Sequence, residues 1–135
     1  MGWTDCFAIG HIGRFTYPKN PMFLLEAVAL AKEELPRARL MLIGTGNGEE
    51  AVQRRAVELG VRSEVFMPGY QEQEEMTRLM QAIDLFGMPS HAEGLGVAAI
   101  EAQAMGLPCL LSLAVPQEAA IAKNVQFLPI DDPTV

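Results

Sequence analysis

The sequence is poor in the residues that build metal centres and disulfide frameworks. Its 135 residues include two cysteines and two histidines. Cys6 and Cys109 both lie on apolar runs, which indicates reduced core thiols rather than a disulfide, a redox pair or a metal site. His11 and His91 have no cysteine, histidine or aspartate at ligand spacing. We therefore predict no structural metal.

Long apolar runs and an excess of positive charge are also missing. No apolar stretch approaches the roughly 20 residues of a membrane-spanning helix, and the start of the chain, "MGWTDCFAIG", lacks the basic region and long apolar core of a secretory signal. We therefore expect a soluble, cytoplasmic protein with no transmembrane segment. The formal net charge of -7 argues against binding to nucleic acid or anionic membranes, although it leaves room for a local positive pocket.

Short apolar runs with strand character alternate with segments of helical spacing. The chain is long enough for one domain and too short for two. Strands are predicted at 7–12, 39–43, 65–67, 84–88, 109–113 and 125–128, and helices at 22–35, 49–59, 74–82, 96–105 and 116–122. In the first helix Phe23, Ala27, Leu30 and Ala31 share one face. The alternation predicts an α/β fold: a single Rossmann-like, three-layer α/β/α domain with a mainly parallel six-stranded sheet.

The loop after the first predicted strand, "GHIGRFTYPKNP", carries two cations beside two glycines. In doubly wound sheets ligands bind at the carboxyl ends of the strands, near the point where the strand order reverses. Gly10 and Gly13 allow close backbone approach, and Arg14 and Lys19 can hold phosphate oxygens by charge-assisted hydrogen bonds. The loop is a candidate diphosphate clamp, although two cations in a surface loop are more often merely solvated.

Two further loops carry weaker signals. "GTGNGEE" (residues 44–50) departs from the dinucleotide fingerprint G-x-G-x-x-G because Glu49 takes the place of its third glycine and because it follows the second strand. A tight strand-to-helix turn is the better interpretation than an NAD site. In "MPGYQEQEE" (residues 67–75), Tyr70 at a strand end fits either a place beside a flat base or edge packing against the sheet.

The segment "PSHAEGLGVAAIEAQAMGLP" (residues 89–108) has only two charges, Glu93 and Glu101. Glu93 is predicted in a loop, and Gly94 to Val97 in the first turn of a helix that contains Glu101. Unpaired first-turn amides and the helix dipole can bind an anion there, and glycines let a phosphate come close. A helix-capping role for Glu93 and a solvated position for Glu101 are the alternatives.

Taken together, these loops resemble those of one family. "PSHAEGLGVAAIEAQAMGLPCLLS" is similar to the signature of the retaining glycosyltransferases of family 4 (glycosyl transferases group 1), in which two glutamates separated by seven residues are followed by a GLP ending. "GHIGRFTYPKNP", "LMLIGTGNGEE" and "SEVFMPGY" resemble the first three loops of that family, in the same order. The motifs are most similar to those of bacterial exopolysaccharide and capsular-polysaccharide members.

The resemblance implies a domain that binds a nucleotide-diphosphate sugar, with a UDP-sugar favoured, for transfer with retention at the anomeric carbon. Arg14 and Lys19 would hold the diphosphate and stabilise the leaving nucleotide, and Glu93 would lie beside the transferred sugar as the third catalytic residue. Glu101 would bind the ribose hydroxyls. The remaining implied donor contacts are Gly13, Gly69, Tyr70, Gly94, Leu95, Gly96 and Val97. No obligatory metal and no cofactor are implied.

The resemblance also implies a missing half. Members of the family have the GT-B architecture of two facing Rossmann-like domains, whereas residues 1–135 correspond to the C-terminal, donor-binding domain. The N-terminal acceptor domain would act in cis or in trans, the fragment would be inactive alone, and its exposed interdomain face could self-associate. The full enzyme would be peripheral at the inner membrane face. Half of a split two-chain glycosyltransferase and a non-catalytic nucleotide-binding module are the alternatives.

Overall fold

Strands and helices alternate along the chain in the computed structural model, which describes residues 5–130. The strands are β1 (Phe7–Ile12), β2 (Ala38–Ile43), β3 (Val65–Gly69), β4 (Leu85–Met88), β5 (Cys109–Ser112) and β6 (Val125–Leu128), and the α-helices are α1 (Pro21–Ala31), α2 (Glu49–Glu58), α3 (Gln73–Met80) and α4 (Val97–Ala104). All six predicted strands are therefore confirmed. The ends of the predicted domain, residues 1–4 and 131–135, lie outside the described residues.

The six strands form one sheet in the order β3-β2-β1-β4-β5-β6, and every neighbouring pair is parallel. The strand order reverses between β1 and β4, which is where doubly wound sheets open a ligand crevice. Along the described chain, β1 stays paired with β2 as far as Ile12, but its ladder with β4 has two residue pairs, Ile9–Leu85 and Gly10–Phe86. The two strands therefore part before their carboxyl ends.

Helices cover both faces of the sheet, as the alternation along β2 shows. Leu40 and Leu42 pack in one buried cluster with side chains of α1 and α2, whereas Met41 and Ile43 pack in a second cluster with side chains of α3 and α4. A parallel strand buried on both faces is apolar at successive positions rather than at every second one. The predicted three-layer, Rossmann-like α/β/α architecture is confirmed.

The packing face of α1 differs from the prediction. Its buried residues are Pro21, Leu24, Leu25 and Val28. By contrast, the predicted Leu30 is 59% exposed, and Phe23 and Ala27 line an apolar groove of about 330 Å³ between α1 and the strands β4 to β6. The helix sequence, PMFLLEAVALA, is apolar almost all round. Its spacing therefore fits more than one face, and only the position of the sheet selects between them.

The helix predicted at 116–122 is wrong. A single 3-10 turn, Gln117–Ala119, takes its place, and the chain then extends. The side chain of Gln103 in α4 accepts hydrogen bonds from the amides of Ile121 and Ala122 at 2.8 Å and donates one to the Ala119 carbonyl at 2.6 Å. These bonds satisfy backbone groups that a helix would otherwise pair. The partner lies in a distant part of the sequence, so the local pattern did not reveal it.

The glycine turn after β2 (residues 44–48) supports the loop after β1. The amide of Gly48 donates to the carbonyl of Phe15 at 2.7 Å. Gly44 has φ +135°, and a Cβ at this position would overlap the carbonyl oxygen of Gly13. The prediction of a tight turn is confirmed, and its small residues let two backbone segments touch.

Replacing Gly44 with alanine is expected to lower the free energy of unfolding by about 3 kcal/mol or more. A side chain at positive φ costs about 1–2 kcal/mol, and here its Cβ also meets backbone that cannot rotate away. Gly60→Ala is the matched control, because Gly60 has φ +74° with no atom within 4 Å of the added Cβ. Urea unfolding measures both variants, and equal losses would contradict the supporting role of the turn.

Candidate functional site

Two loops meet where β1 and β4 part. The backbone amide of His91, in the loop after β4, donates to the carbonyl of Pro18, in the loop after β1, at 2.7 Å. The side-chain amide of Asn20 donates to the carbonyl of Pro89 at 2.9 Å. These bonds join segments some seventy residues apart. They fix the two loops against each other at the point where the strand order reverses.

Lys19 and Glu93 form an ion pair across these loops. The Lys19 Nζ lies 2.9 Å from Oε1 and 2.8 Å from Oε2 of Glu93. Ser90 Oγ donates to Glu93 Oε2 at 3.1 Å, and Ser112 Oγ donates to the Ser90 carbonyl at 2.6 Å. The Glu93 side chain is 9% exposed and the Lys19 side chain 32%. Solvent therefore reaches the ammonium more readily than the carboxylate that neutralises it.

Glu93 does not cap α4. The helix begins at Val97, its N-cap is Gly96 at φ +73°, and within residues 5–130 no side chain caps the helix. The prediction that Gly94 and Leu95 lie in the first turn is wrong, because both lie in the exposed loop before the helix. A Cβ at Gly96 would meet the segment after β5 at 3.0 Å, so a glycine is needed where the helix starts.

Arg14 and Glu101 are both exposed. Neither side chain has a hydrogen-bond or ion-pair partner within residues 5–130. Arg14 follows Gly13, whose amide donates to the carbonyl of Ile43 at 3.0 Å. An unpartnered guanidinium can bind an anion without first breaking a protein contact. The exposure of Glu101 on α4 agrees equally with its alternative as a solvated carboxylate.

Gly69 and Tyr70 lie at the end of β3, the outer strand of this half of the sheet. Gly69 has φ +84°, and its carbonyl accepts a hydrogen bond from the amide of Gly44 at 3.1 Å. Tyr70 is 69% exposed, so it is not packed against the sheet edge. In the described part of the chain, no hydrogen bond or ring contact joins Tyr70 to the Lys19–Glu93 pair.

Sequence reasoning missed four side chains in β1 and in the two loops that carry this pair. Ser90 holds Glu93, as described above, and the rings of Tyr17 and His91 stack with their centroids 4.2 Å apart and an interplanar angle of 14°. His11 is buried in β1. Its position near the carboxyl end of a predicted strand was the one signal available, since doubly wound sheets bind ligands beyond those ends.

His11 is held neutral by its surroundings. Its Nδ1 lies 2.9 Å from the carbonyl oxygen of Gly87 in β4. Burial lowers the pKa of His11 from 6.5 to about 4, an effect that the charge of Lys19 reinforces and that Glu93 and the hydrogen bond to Gly87 partly offset. The imidazole is therefore uncharged near neutral pH.

The domain is expected to lose stability in acid through His11. Because the folded pKa lies below the unfolded one, the unfolded state binds the proton first, and the stabilisation present above pH 6.5 is lost as the pH falls toward 4. This contribution amounts to about 3 kcal/mol between pH 7 and pH 4. Urea unfolding of the wild type and of His11→Asn across this range measures it. Parallel pH profiles for the two proteins would contradict the assignment.

Cys6 and Cys109 are both free thiols. Burial raises the pKa of Cys109 to about 11, which suits an unreactive core thiol. Within the described range, no group of three or more histidine, cysteine, aspartate or glutamate side chains could hold a metal ion. In the same residues we find no helix with the length and apolar character needed to cross a bilayer.

The parallel doubly wound sheet defines an α/β domain of the Rossmann type, and the cation–carboxylate pair lies at the switch point, where such domains bind ligands. Residues 4–129 match the family described as "Glycosyl transferases group 1". The chain belongs to this family, and it is a glycosyltransferase domain.

Two curated relatives illustrate the match. EpsF of Bacillus subtilis (strain 168), named as a glycosyltransferase, is 39% identical over 114 residues, which cover 84% of this chain and 29% of EpsF. The D-inositol 3-phosphate glycosyltransferase of Segniliparus rotundus is 32% identical over 127 residues, which cover 91% of this chain and 28% of that protein. The chain thus spans less than a third of the length of these relatives.

Solved structures show the same fold. HepE of Anabaena, solved in complex with UDP and glucose, has a TM-score of 0.86 at 23% identity over 98% of this chain and 37% of its own. WaaG, a glycosyltransferase involved in lipopolysaccharide biosynthesis, has a TM-score of 0.84 at 25% identity over 95% of this chain and 35% of its own. The sheet therefore matches one half of a GT-B glycosyltransferase.

Proposed function

We propose that this domain binds a nucleotide-diphosphate sugar, with UDP as the nucleotide, as the donor half of a retaining glycosyltransferase of polysaccharide biosynthesis. The observation that carries the proposal is the Lys19–Glu93 ion pair at the switch point of a group 1 domain, with an exposed Arg14 on the same loop as Lys19. UDP and glucose in the HepE complex support the donor class. The similarity of the motifs to bacterial exopolysaccharide and capsular members supports the pathway.

The donor diphosphate would bind between Arg14, Lys19 and the start of α4. The two side chains supply positive charge, and the unpaired first-turn amides from Val97 onward add the positive end of the helix dipole. Such a local concentration of positive groups can neutralise a diphosphate inside a protein with a net charge of -7. The same groups would stabilise the negative charge that grows on the leaving phosphate as the sugar bond breaks. This chemistry requires no metal.

Glu93 would act on the sugar after Lys19 changes partners. In the free domain the carboxylate holds the ammonium through both of its oxygens. A bound diphosphate competes for that ammonium, and the released carboxylate can accept hydrogen bonds from sugar hydroxyls. It would also stabilise the positive charge that develops at the anomeric carbon. Glu93 is therefore assigned a positioning and electrostatic role rather than that of a covalent nucleophile.

The nucleoside would extend from the diphosphate toward Glu101 and Tyr70. The exposed carboxylate of Glu101 accepts hydrogen bonds only, which suits the paired hydroxyls of a ribose. The exposed ring of Tyr70, next to Gly69, offers a flat surface to a base. The backbone amides assigned to the donor belong to Gly13, Gly94, Leu95, Gly96 and Val97.

The acceptor would bind to a second domain. The chain spans less than a third of the length of its curated relatives and about a third of the solved glycosyltransferases. In those proteins the residues outside the matched segment are numerous enough to form an acceptor domain. The donor-binding groups lie at the mouth of the crevice between β1 and β4, and the second domain would face them from outside this sheet. The isolated domain is therefore expected to bind donor without transferring sugar. When the domain is alone, its exposed interdomain face could self-associate.

Calorimetry with UDP tests the donor site directly. Arg14→Ala and Glu101→Ala are each expected to raise the Kd for UDP by about tenfold or more, since each removes charged hydrogen bonds to the ligand. Arg55→Ala and Glu58→Ala are the matched controls, because these residues form an exposed ion pair with each other at the end of α2. Absence of UDP binding to the wild type, or equal Kd values in all four variants, would refute the proposal.

Glu93→Gln separates the sugar from the nucleotide. The substitution weakens the hold on Lys19, so the affinity for UDP is expected to stay the same or to increase. Any gain in affinity of UDP-glucose over UDP in the wild type should shrink in the variant, because an amide accepts hydrogen bonds from hydroxyls less strongly than a carboxylate. Competition calorimetry with both ligands measures the ratio. A strong loss of UDP affinity would contradict the exchange of partners.

A further inference from the structure

His11 fills the opening between β1 and β4. The backbone ladder of the two strands ends at Gly10–Phe86 in the described chain, and the next carbonyl of β4, that of Gly87, is taken by the His11 imidazole at 2.9 Å. The side chain thus bridges the two strands at the point where they part. It lies at the floor of the crevice in which doubly wound sheets bind their ligands.

The partner of Nδ1 determines which ring nitrogen carries the proton. A carbonyl oxygen only accepts hydrogen bonds, so Nδ1 carries the hydrogen in the neutral ring and Nε2 has a free lone pair. Nε2 is buried and has no hydrogen-bond partner among the described residues. A buried polar atom without a partner is costly and uncommon in a folded protein. Burial also lowers the pKa of His11 to about 4, which keeps the acceptor form at neutral pH.

Lys19 and Gly13 lie over this nitrogen. A Cβ built on Gly13 would be 3.0 Å from His11 Nε2 and 3.7 Å from the Cδ of Lys19. His11 Nε2 and the aliphatic part of Lys19 thus both lie near one position on Gly13, while the lysine ammonium reaches on to Glu93. Contact between the ammonium and Nε2 requires rotation about the last bonds of the lysine side chain.

We propose that His11 is a positioning residue of the donor site: its Nε2 accepts a hydrogen bond from the Lys19 ammonium when a bound diphosphate draws that ammonium away from Glu93. An ammonium has three hydrogens, so it can donate to a phosphate oxygen and to the imidazole together. The neutral imidazole directs the lysine without competing for the anion. This inference rests on the donor site proposed above and adds to it a residue that does not touch the donor.

Two substitutions of His11 separate its two hydrogen bonds. Asparagine can still donate to the Gly87 carbonyl but has no group at the place of Nε2, whereas glutamine offers an acceptor near Nε2 and gives up the bond to Gly87. His11→Asn is expected to raise the Kd for UDP by about tenfold. His11→Gln keeps an acceptor near the position of Nε2, so it is expected to bind UDP more tightly than His11→Asn. This order should hold even if the glutamine variant has the lower melting temperature.

A double-mutant cycle with Lys19→Met tests whether His11 acts through the lysine. Once Lys19 lacks its ammonium, His11→Asn should have little further effect on the Kd for UDP, since the two residues share one interaction. Independent, multiplying losses in the double variant would overturn the proposal. So would an unchanged Kd in His11→Asn.

Nitrogen NMR of the imidazole gives a readout that a purely structural role would not change. The Nε2 signal should be that of an unprotonated nitrogen in the free domain, and addition of UDP should move it in the direction of a hydrogen-bonded acceptor. In Lys19→Met, saturating UDP should leave it in place. A wild-type domain that binds UDP with a stationary Nε2 signal overturns this inference alone, whereas a domain that binds no UDP overturns the donor site and this inference together.

Discussion

The candidate site depends on the early end of the backbone pairing between β1 and β4. Strand β1 stays paired with β2 to its last residue, whereas its ladder with β4 ends at Gly10–Phe86. A parallel sheet has to open where its strand order reverses, because successive crossovers leave toward opposite edges. The opening is closed below by the imidazole of His11 and above by two loops that bond to each other. Lys19 and Glu93 meet across this gap.

Electrostatics within the gap are local and oppose the charge of the whole protein. The chain has a net charge of -7, yet Arg14 is exposed without a partner and Lys19 is neutralised by one nearly buried carboxylate. Ser90 and Ser112 hold Glu93 in place by a chain of hydrogen bonds. An anionic ligand would meet a free guanidinium first and then displace Glu93 from Lys19. The ion pair therefore holds the Lys19 ammonium in position when no ligand is bound. An anionic ligand has to bind this ammonium more strongly than Glu93 does.

Some glycines near the candidate site pack closely against other segments, and others are open. At Gly44 a side chain would overlap the loop after β1, so the turn that resembles a dinucleotide fingerprint is the support for the loop that carries Arg14. Gly96 likewise lets α4 begin against the segment after β5. At Gly69 and Gly94 an added Cβ would meet no atom within 4 Å. The structure therefore leaves space beside these two glycines of the candidate site.

The sequence by itself determined the six strands, the parallel α/β class and the segments that carry Arg14, Lys19 and Glu93, since these depend on local apolar runs and on residues placed just after strands. Tertiary structure alone decided which face of the uniformly apolar α1 is buried and why residues 116–122 form no helix, because Gln103, far away in the sequence, binds that backbone. It also decided that Lys19 pairs with Glu93 and that β4 supplies the partner of a buried histidine. Contacts between distant segments leave no periodic trace in either segment, so only the folded chain reveals them.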